Sequence, residues 1–244
     1  MRRLHRLRRS DEGMTLVELM VVMIVSSIIA VLTVTLVIGV MRTNSRNVVR
    51  QDQVDAARVA VESMGKTLRA SVKPSQLSSG CGSGCTEDAF LTGTKLGVQF
   101  YSNIDNPGNI TGPSRVTYSV VTTGAQKGNL VETIQIPNSN VPGSSGYAYC
   151  SGTAGSCKSR IKTRVLARDV VHDGPAVLRY FDDAGNEMVP VGTGSLTTAQ
   201  LKSVLSIEVR LAVMDRDSDK PKPTTYIQRL MLPNAQAVIK AGDD

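Results

Sequence analysis

Residues 12–19 read EGMTLVEL and place a single carboxylate, Glu18, five residues after Gly13 and inside a long apolar segment. Between Met14 and Met41, Glu18 is the only ionisable side chain. This segment is longer than the roughly 20 residues that cross a bilayer as a helix. An unpaired charge in hydrocarbon is costly, so a carboxylate there indicates a functional group with a positive partner. The sequence therefore predicts a membrane-spanning helix and favours an amine of another subunit as the partner of Glu18.

The net charge of +7 lies partly ahead of the apolar segment. Residues 1–13 carry five of the 28 basic side chains and two of the 21 acidic ones, or +3, which leaves 23 basic and 19 acidic side chains, or +4, for the rest. A surplus this small and scattered gives no support for a nucleic acid as partner. Basic residues beside a span stay in the cytoplasm. We therefore expect a cytoplasmic N-terminus and an extracytoplasmic C-terminal part.

A cleaved secretory signal would carry an A-x-A-like site after its apolar region. No clear site of this kind follows Met41, and the segment is long. An uncut signal anchor, which would make the chain a single-span anchored extracellular protein, is therefore one alternative.

Residues 13–19, GMTLVEL, together with the basic leader before them, resemble the class III signal of type IV pilins and type II secretion pseudopilins. In that family a prepilin peptidase cuts after the glycine, here between Gly13 and Met14, and methylates the new N-terminus. The resemblance implies that Met14 is the first mature residue and Glu18 the fifth, which pairs with the N-terminal amine of a neighbouring subunit. The chain departs from the family in having Met14 where Phe is usual, and in lacking a proline between Met14 and Met41.

Beyond the apolar segment, the hydrophobic positions occupy one side of a helix. They recur at three- and four-residue intervals, at Val54, Ala57, Val61, Met64 and Leu68. We expect one helix from near Met14 to about Ala70, ended by Pro74 and the Ser/Gly-rich stretch after it.

Seven β-branched or alternating runs, separated by turn residues, then indicate antiparallel strands. They are Leu96–Tyr101, Arg115–Thr122, Leu130–Ile136, Thr163–Val171, Ala176–Phe181, Val204–Met214 and Thr224–Leu232. The predicted fold class is α+β, with the long N-terminal helix packed on an antiparallel sheet domain. The predicted parts are a leader (1–13), a transmembrane and assembly helix (14–41), its amphipathic continuation (42–72) and an extracytoplasmic β-rich domain (73–244).

Three C-terminal segments carry a second, narrower resemblance. Residues 177–187, 204–211 and 228–234 are similar to the closing hairpin and strands of J-type minor pseudopilins and PilW-like minor pilins. This resemblance covers about a quarter of the chain and implies a minor, initiating subunit of the filament.

The four cysteines form two short-spaced pairs in Gly/Ser-rich loops, which permit three connectivities. In an extracytoplasmic compartment we favour the local disulfides Cys81–Cys85 and Cys150–Cys157. A zinc site is the competing interpretation, but the C-x3-C and C-x6-C spacings are irregular for zinc.

The remaining polar motifs give no sign of a metal, a cofactor or catalysis. Residues 215–219, DRDSD, begin like a calcium loop but lack its glycine and closing glutamate, and we expect a solvated turn there. His172 would be the imidazole outside the leader, and we expect it to lie in a surface turn. Without a nucleophile elbow, Walker loop or H-E-x-x-H motif, the sequence does not favour an enzyme.

The sequence thus predicts a minor pilin or pseudopilin that assembles into, or primes, a type IV pilus or a type II secretion pseudopilus. Its expected partners are the prepilin peptidase, other pilins, the inner-membrane assembly platform and, before assembly, the lipid bilayer. A tip adhesin or DNA-uptake minor pilin is the binding-module alternative.

Overall fold

The computed structural model describes residues 14–77, 85, 88–152, 155–191, 194–214 and 223–235. The chain forms two compact units that divide between Val49 and Arg50.

The N-terminal unit consists, over its described residues, of the first part of helix α1 (Leu16–Arg69). Every side chain from Met14 to Val48 is exposed. A helix that is apolar on all sides requires a non-aqueous surrounding that this unit does not itself supply. The expected single helix from near Met14 to about Ala70 is confirmed.

The second unit contains two antiparallel sheets and a short helix. The first sheet has the order β1-β2-β3-β4-β5 and the second has β7-β6-β8-β9. The strands are β1 (Phe90–Gly93), β2 (Gly97–Ser102), β3 (Ser114–Val120), β4 (Leu130–Gln135), β5 (Ile161–Ala167), β6 (Leu178–Phe181), β7 (Glu187–Met188), β8 (Ser206–Val213) and β9 (Thr224–Met231), and helix α2 is Thr198–Ser203.

The α+β fold class is confirmed, and each of the seven predicted strands is present with its ends shifted by up to four residues. The sequence did not indicate the division of these strands into two sheets. It also missed β1 and β7, which are four and two residues long and too short to show an alternating pattern. Domain boundaries at residues 41 and 72 stay predictions.

The core lies between the C-terminal half of α1 and the two sheets. Ala57, Val61, Met64 and Leu68 of the predicted stripe are each 0% exposed. Val54 is only partly buried. Its neighbour Gln53 is buried instead. The Gln53 side-chain oxygen accepts a 2.9 Å hydrogen bond from the Thr224 hydroxyl on β9.

A carboxylate stands inside this core. The Glu132 side chain on β4 is 1% exposed and forms an ion pair with Arg164 on β5. It also accepts a 2.8 Å hydrogen bond from the Tyr118 hydroxyl on β3, and Arg164 donates a second hydrogen bond, of 2.8 Å, to Ser63 on α1. Burial raises the pKa of Tyr118 well above its usual range, so its hydroxyl stays a donor. This network ties three strands to the helix.

We predict that Arg164→Met lowers the free energy of unfolding by about 1–3 kcal/mol, because Glu132 then keeps a buried charge without its cation. The effect falls below the usual range for a fully buried pair because the Arg164 side chain is 57% exposed. Urea unfolding followed by tyrosine fluorescence measures it, since the chain lacks tryptophan. The matched control is Lys162→Met on the same strand, whose pair with Asp105 is exposed, and which should change stability by less than about 0.5 kcal/mol. Equal stability of the two variants would contradict the role of Glu132.

Candidate functional site at the start of the long helix

The first turn of α1 is organised by Thr15. Its hydroxyl accepts a 3.3 Å hydrogen bond from the Glu18 backbone N–H, and its carbonyl accepts one of 3.1 Å from Leu19. Thr15 therefore occupies the N-cap position and Glu18 the third helical position, the T-x-x-E spacing of a capping box. Sequence reasoning did not single out Thr15, although this spacing is a readable signal for it.

The Glu18 carboxylate lies in the first turn, where the partial positive charge of the helix N-terminus favours an acidic side chain. Glu18 is exposed. Within the described part of the chain no ion pair involves Glu18. The carboxylate therefore stays open to a partner from outside this part of the chain.

Hydroxyl side chains deeper in the apolar segment are satisfied locally. Ser27, Thr33 and Thr35 each donate to a backbone carbonyl three or four residues earlier, at 2.7–2.8 Å. This back-bonding removes their need for water. Glu18 differs from these hydroxyl residues, because within the described residues its carboxylate forms no ion pair.

The apolar side chains around Glu18 are not buried by other residues. Leu16 is 74% exposed and Leu19 50%, and every other large apolar side chain up to Met41 is also exposed. The helix is long and apolar enough to cross a membrane. A continuous apolar surface of this length marks contact with lipid or with other chains.

The predicted site residues fall in different places. Met14 is exposed ahead of the helix, whereas Gly13 lies outside the described residues. Cys150 and Cys157 form the predicted disulfide, with their Cα atoms 5.7 Å apart, and so are not free to bind zinc. Cys85 is also disulfide-bonded, and its predicted partner Cys81 lies outside the described residues. Residues 215–222, which include the DRDSD segment, also lie outside the described residues.

His172 does not lie in a surface turn as predicted, since its side chain is only 11% exposed. Val170 just before it is buried and pairs with Val213 at the end of β8, which holds this segment against the sheet. The His172 Nδ1 atom lies 3.2 Å from the Val170 carbonyl oxygen and 3.8 Å from an Asp173 carboxylate oxygen. The expectation of an exposed histidine was therefore wrong.

Comparison with known families identifies the N-terminal segment. A model described as the prokaryotic N-terminal methylation motif matches residues 8–39, which include Gly13, Met14 and Glu18. This motif is the class III signal of type IV pilins and pseudopilins, and its match supports a type IV pilin-like or pseudopilin-like protein. No curated protein and no solved structure matches the chain.

The motif has consequences for the rest of the site. It implies processing by a prepilin peptidase and assembly with other pilins. The apolar helix near the N-terminus is consistent with anchoring by a single membrane pass.

We predict that Thr15→Val speeds amide exchange at Glu18 about fivefold, because the valine keeps the shape of Thr15 but cannot cap the Glu18 N–H, a loss of about 1 kcal/mol. Hydrogen exchange measured by NMR on the full chain in detergent micelles tests this. Thr33→Val is the control, since the Thr33 hydroxyl bonds the Ile29 carbonyl and caps no helix end. Unchanged exchange at Glu18 in the Thr15 variant would show that the hydroxyl is not its cap.

Proposed function

We propose that this chain is a minor pilin or pseudopilin subunit that assembles into, or primes, a type IV pilus or a type II secretion pseudopilus. The prepilin peptidase cuts it between Gly13 and Met14 and methylates the new amine of Met14. The observation that carries the proposal is the uncompensated Glu18 carboxylate at the start of an exposed apolar helix.

In this function, Glu18 fixes the axial position of one subunit relative to its neighbour in the filament. Cleavage would create a positively charged amine at Met14, at the start of the same apolar segment. When helices pack together, the Glu18 carboxylate of one subunit pairs with the Met14 amine of another. A buried pair adds little net stability, but breaking it strands a charge at a typical cost of about 3–5 kcal/mol. The pair therefore selects one axial position among many that the apolar surfaces would otherwise allow.

The exposed helix supports a transfer from lipid to fibre. The arginines of residues 1–13 favour a cytoplasmic N-terminus and an extracytoplasmic globular part. Lipid solvates the apolar side chains before assembly, and neighbouring helices solvate them afterwards. Because both surroundings are apolar, the exchange costs little hydrophobic free energy. The inner-membrane assembly platform is the partner that would perform it.

The second sheet supports a minor rather than a major subunit. The three segments that resemble J-type and PilW-like proteins, residues 177–187, 204–211 and 228–234, lie in the strands β6 to β9. These strands form one sheet with the order β7-β6-β8-β9. The segments that carry the resemblance are thus neighbours in space. The proposed role is structural and non-enzymatic.

We predict that Glu18→Ala abolishes incorporation into the fibre while leaving membrane insertion and cleavage intact. The reason is that a neighbour's Met14 amine would be buried without a carboxylate. Immunoblots of sheared fibres and membranes from cells expressing the variant measure the two pools. Glu62→Ala is the matched control, because Glu62 forms an exposed pair with Arg58 in the other unit. Wild-type levels of the Glu18 variant in fibres would rule out the register role.

We also predict that Gly13→Val accumulates as an uncut precursor, because a branched side chain replaces the hydrogen of glycine at the bond to be cut. Intact mass spectrometry should show a chain that is heavier than the mature one by residues 1–13. Ser10→Val, in the same leader, should be processed normally. A mature chain that begins elsewhere than Met14 would remove both the cleavage assignment and the role of Met14.

A further inference from the structure

Two arginines follow directly after the apolar segment of α1. Arg42 and Arg46 lie four residues apart, so they occupy the same side of the helix, about 6 Å apart along its axis. Both residues are exposed, and neither forms an ion pair within the described part of the chain. These two residues, the arginine pair, are therefore open to a group from outside that part of the chain.

The charge of the arginine pair is not balanced nearby. Among the described residues of the N-terminal unit, Glu18 is the only other ionisable side chain. It precedes Arg42 by 24 residues, or about 36 Å of helix, which is too far for a contact. The next charged residues along the chain, Arg50 and Asp52, belong to the other unit. The N-terminal unit therefore presents two positive charges at one end of its apolar surface.

The residues around the arginine pair are polar but uncharged. Residues 43–45 and 47 are Thr, Asn, Ser and Asn, and all four are exposed. The Thr43 hydroxyl donates a 3.0 Å hydrogen bond to the Gly39 carbonyl oxygen and so needs no other partner. The change from apolar to polar residues falls at Arg42, as expected for a helix that leaves hydrocarbon and enters the headgroup layer.

The length of the uncharged run determines where its two ends lie in a bilayer. Residues 19–41 contain no ionisable side chain and extend about 35 Å as a helix. The hydrocarbon core of a bilayer is about 30 Å thick, so a helix of this length crosses it with a tilt of about 20–30°. Glu18 and Arg42, which flank the run, then lie at opposite surfaces of the hydrocarbon. Arg46, one turn further out, lies within the headgroup layer.

A phospholipid phosphate is the group that the arginine pair meets at this depth. A guanidinium group donates two parallel hydrogen bonds to phosphate oxygens, and the long arginine side chain can reach them from the edge of the hydrocarbon. Two cations without a carboxylate favour a headgroup with a net negative charge, because a zwitterionic headgroup brings a cation of its own. Basic side chains beside a membrane surface each strengthen binding to anionic lipids.

We propose that Arg42 and Arg46 bind the phosphates of anionic phospholipids in the extracytoplasmic leaflet, and that this contact holds Glu18 at the cytoplasmic edge of the hydrocarbon before assembly. Water reaches the Glu18 carboxylate there, so the subunit carries no unpaired charge within the hydrocarbon while it waits in the membrane. The inference rests on the proposed membrane orientation, but not on the pairing of Glu18 in a fibre.

Native mass spectrometry of the full chain tests lipid binding. The chain is purified in neutral maltoside micelles that contain equal amounts of dioleoylphosphatidylglycerol and dioleoylphosphatidylcholine, and the retained lipids are counted. The wild type should retain phosphatidylglycerol in excess. Arg42→Gln/Arg46→Gln should lower the ratio of retained phosphatidylglycerol to phosphatidylcholine about fivefold or more, because each basic side chain contributes about that factor at an anionic surface. Glutamine forms helices about as well as arginine, so the variant keeps α1 intact.

The matched control is Lys158→Gln/Arg168→Gln, which removes two positive charges from exposed positions of the globular unit and should retain lipids as wild type does. The leader arginines are present in every variant and do not contribute to the difference. Equal lipid ratios for the two double variants would overturn the proposal. Displacement of phosphatidylglycerol by an equal concentration of inorganic phosphate would also overturn it, as would a dimer of the chain that retains no phosphatidylglycerol.

This test and the fibre test of Glu18 fail independently. Lipid retention is measured on the purified chain without any assembly machinery, whereas the Glu18→Ala variant is scored by its incorporation into fibres. Loss of the lipid preference would therefore leave the pairing of Glu18 with a neighbour's amine untouched.

Discussion

The structure depends on one long helix whose two parts require different surroundings. Helix α1 is continuous from Leu16 to Arg69, yet its apolar residues surround the helix up to Met41 and occupy one side after it. The chain itself can bury only the apolar residues that lie on one side of the helix, because a sheet covers one face of a helix but not all of them. The globular fold is therefore built on the part that it can bury, and the first part is left for lipid or for other helices.

Polar contacts fix where the buried part of α1 lies along the sheets. The Ser63 hydroxyl accepts from Arg164, which holds the carboxylate of Glu132 in the core. At the end of the helix, the Ser102 hydroxyl of β2 donates to the carbonyl oxygens of Thr67 and Ala70, at 2.9 and 3.1 Å. The last carbonyl groups of a helix have no hydrogen-bond donor within the helix, and here Ser102 of β2 supplies one. Apolar packing alone would permit sliding by one turn, whereas these directional bonds do not.

The long helix and the seven longer strands could be predicted because their signals repeat along the sequence itself. The division into two sheets could not, since it depends on which strands pair across long separations. The role of Glu132 was hidden for the same reason, because its partners Tyr118 and Arg164 stand 14 and 32 residues away. His172 was misplaced because Val170, two residues before it, pairs with the distant Val213, which no local pattern indicates. At the N-terminus, the isolation of Glu18 in an apolar run indicates an assembly role, which stays a prediction.

The cap at Thr15 bears on the pairing that we propose for Glu18. In a full capping box the N3 glutamate turns back to the N-cap backbone N–H. Here the Thr15 hydroxyl already satisfies the Glu18 N–H, and the carboxylate forms no ion pair within the described chain. The Thr15 hydroxyl therefore caps the Glu18 N–H, while the Glu18 carboxylate is exposed. A carboxylate bound within its own helix would have to break that contact before pairing elsewhere, and in the proposed assembly Glu18 would not bear this cost.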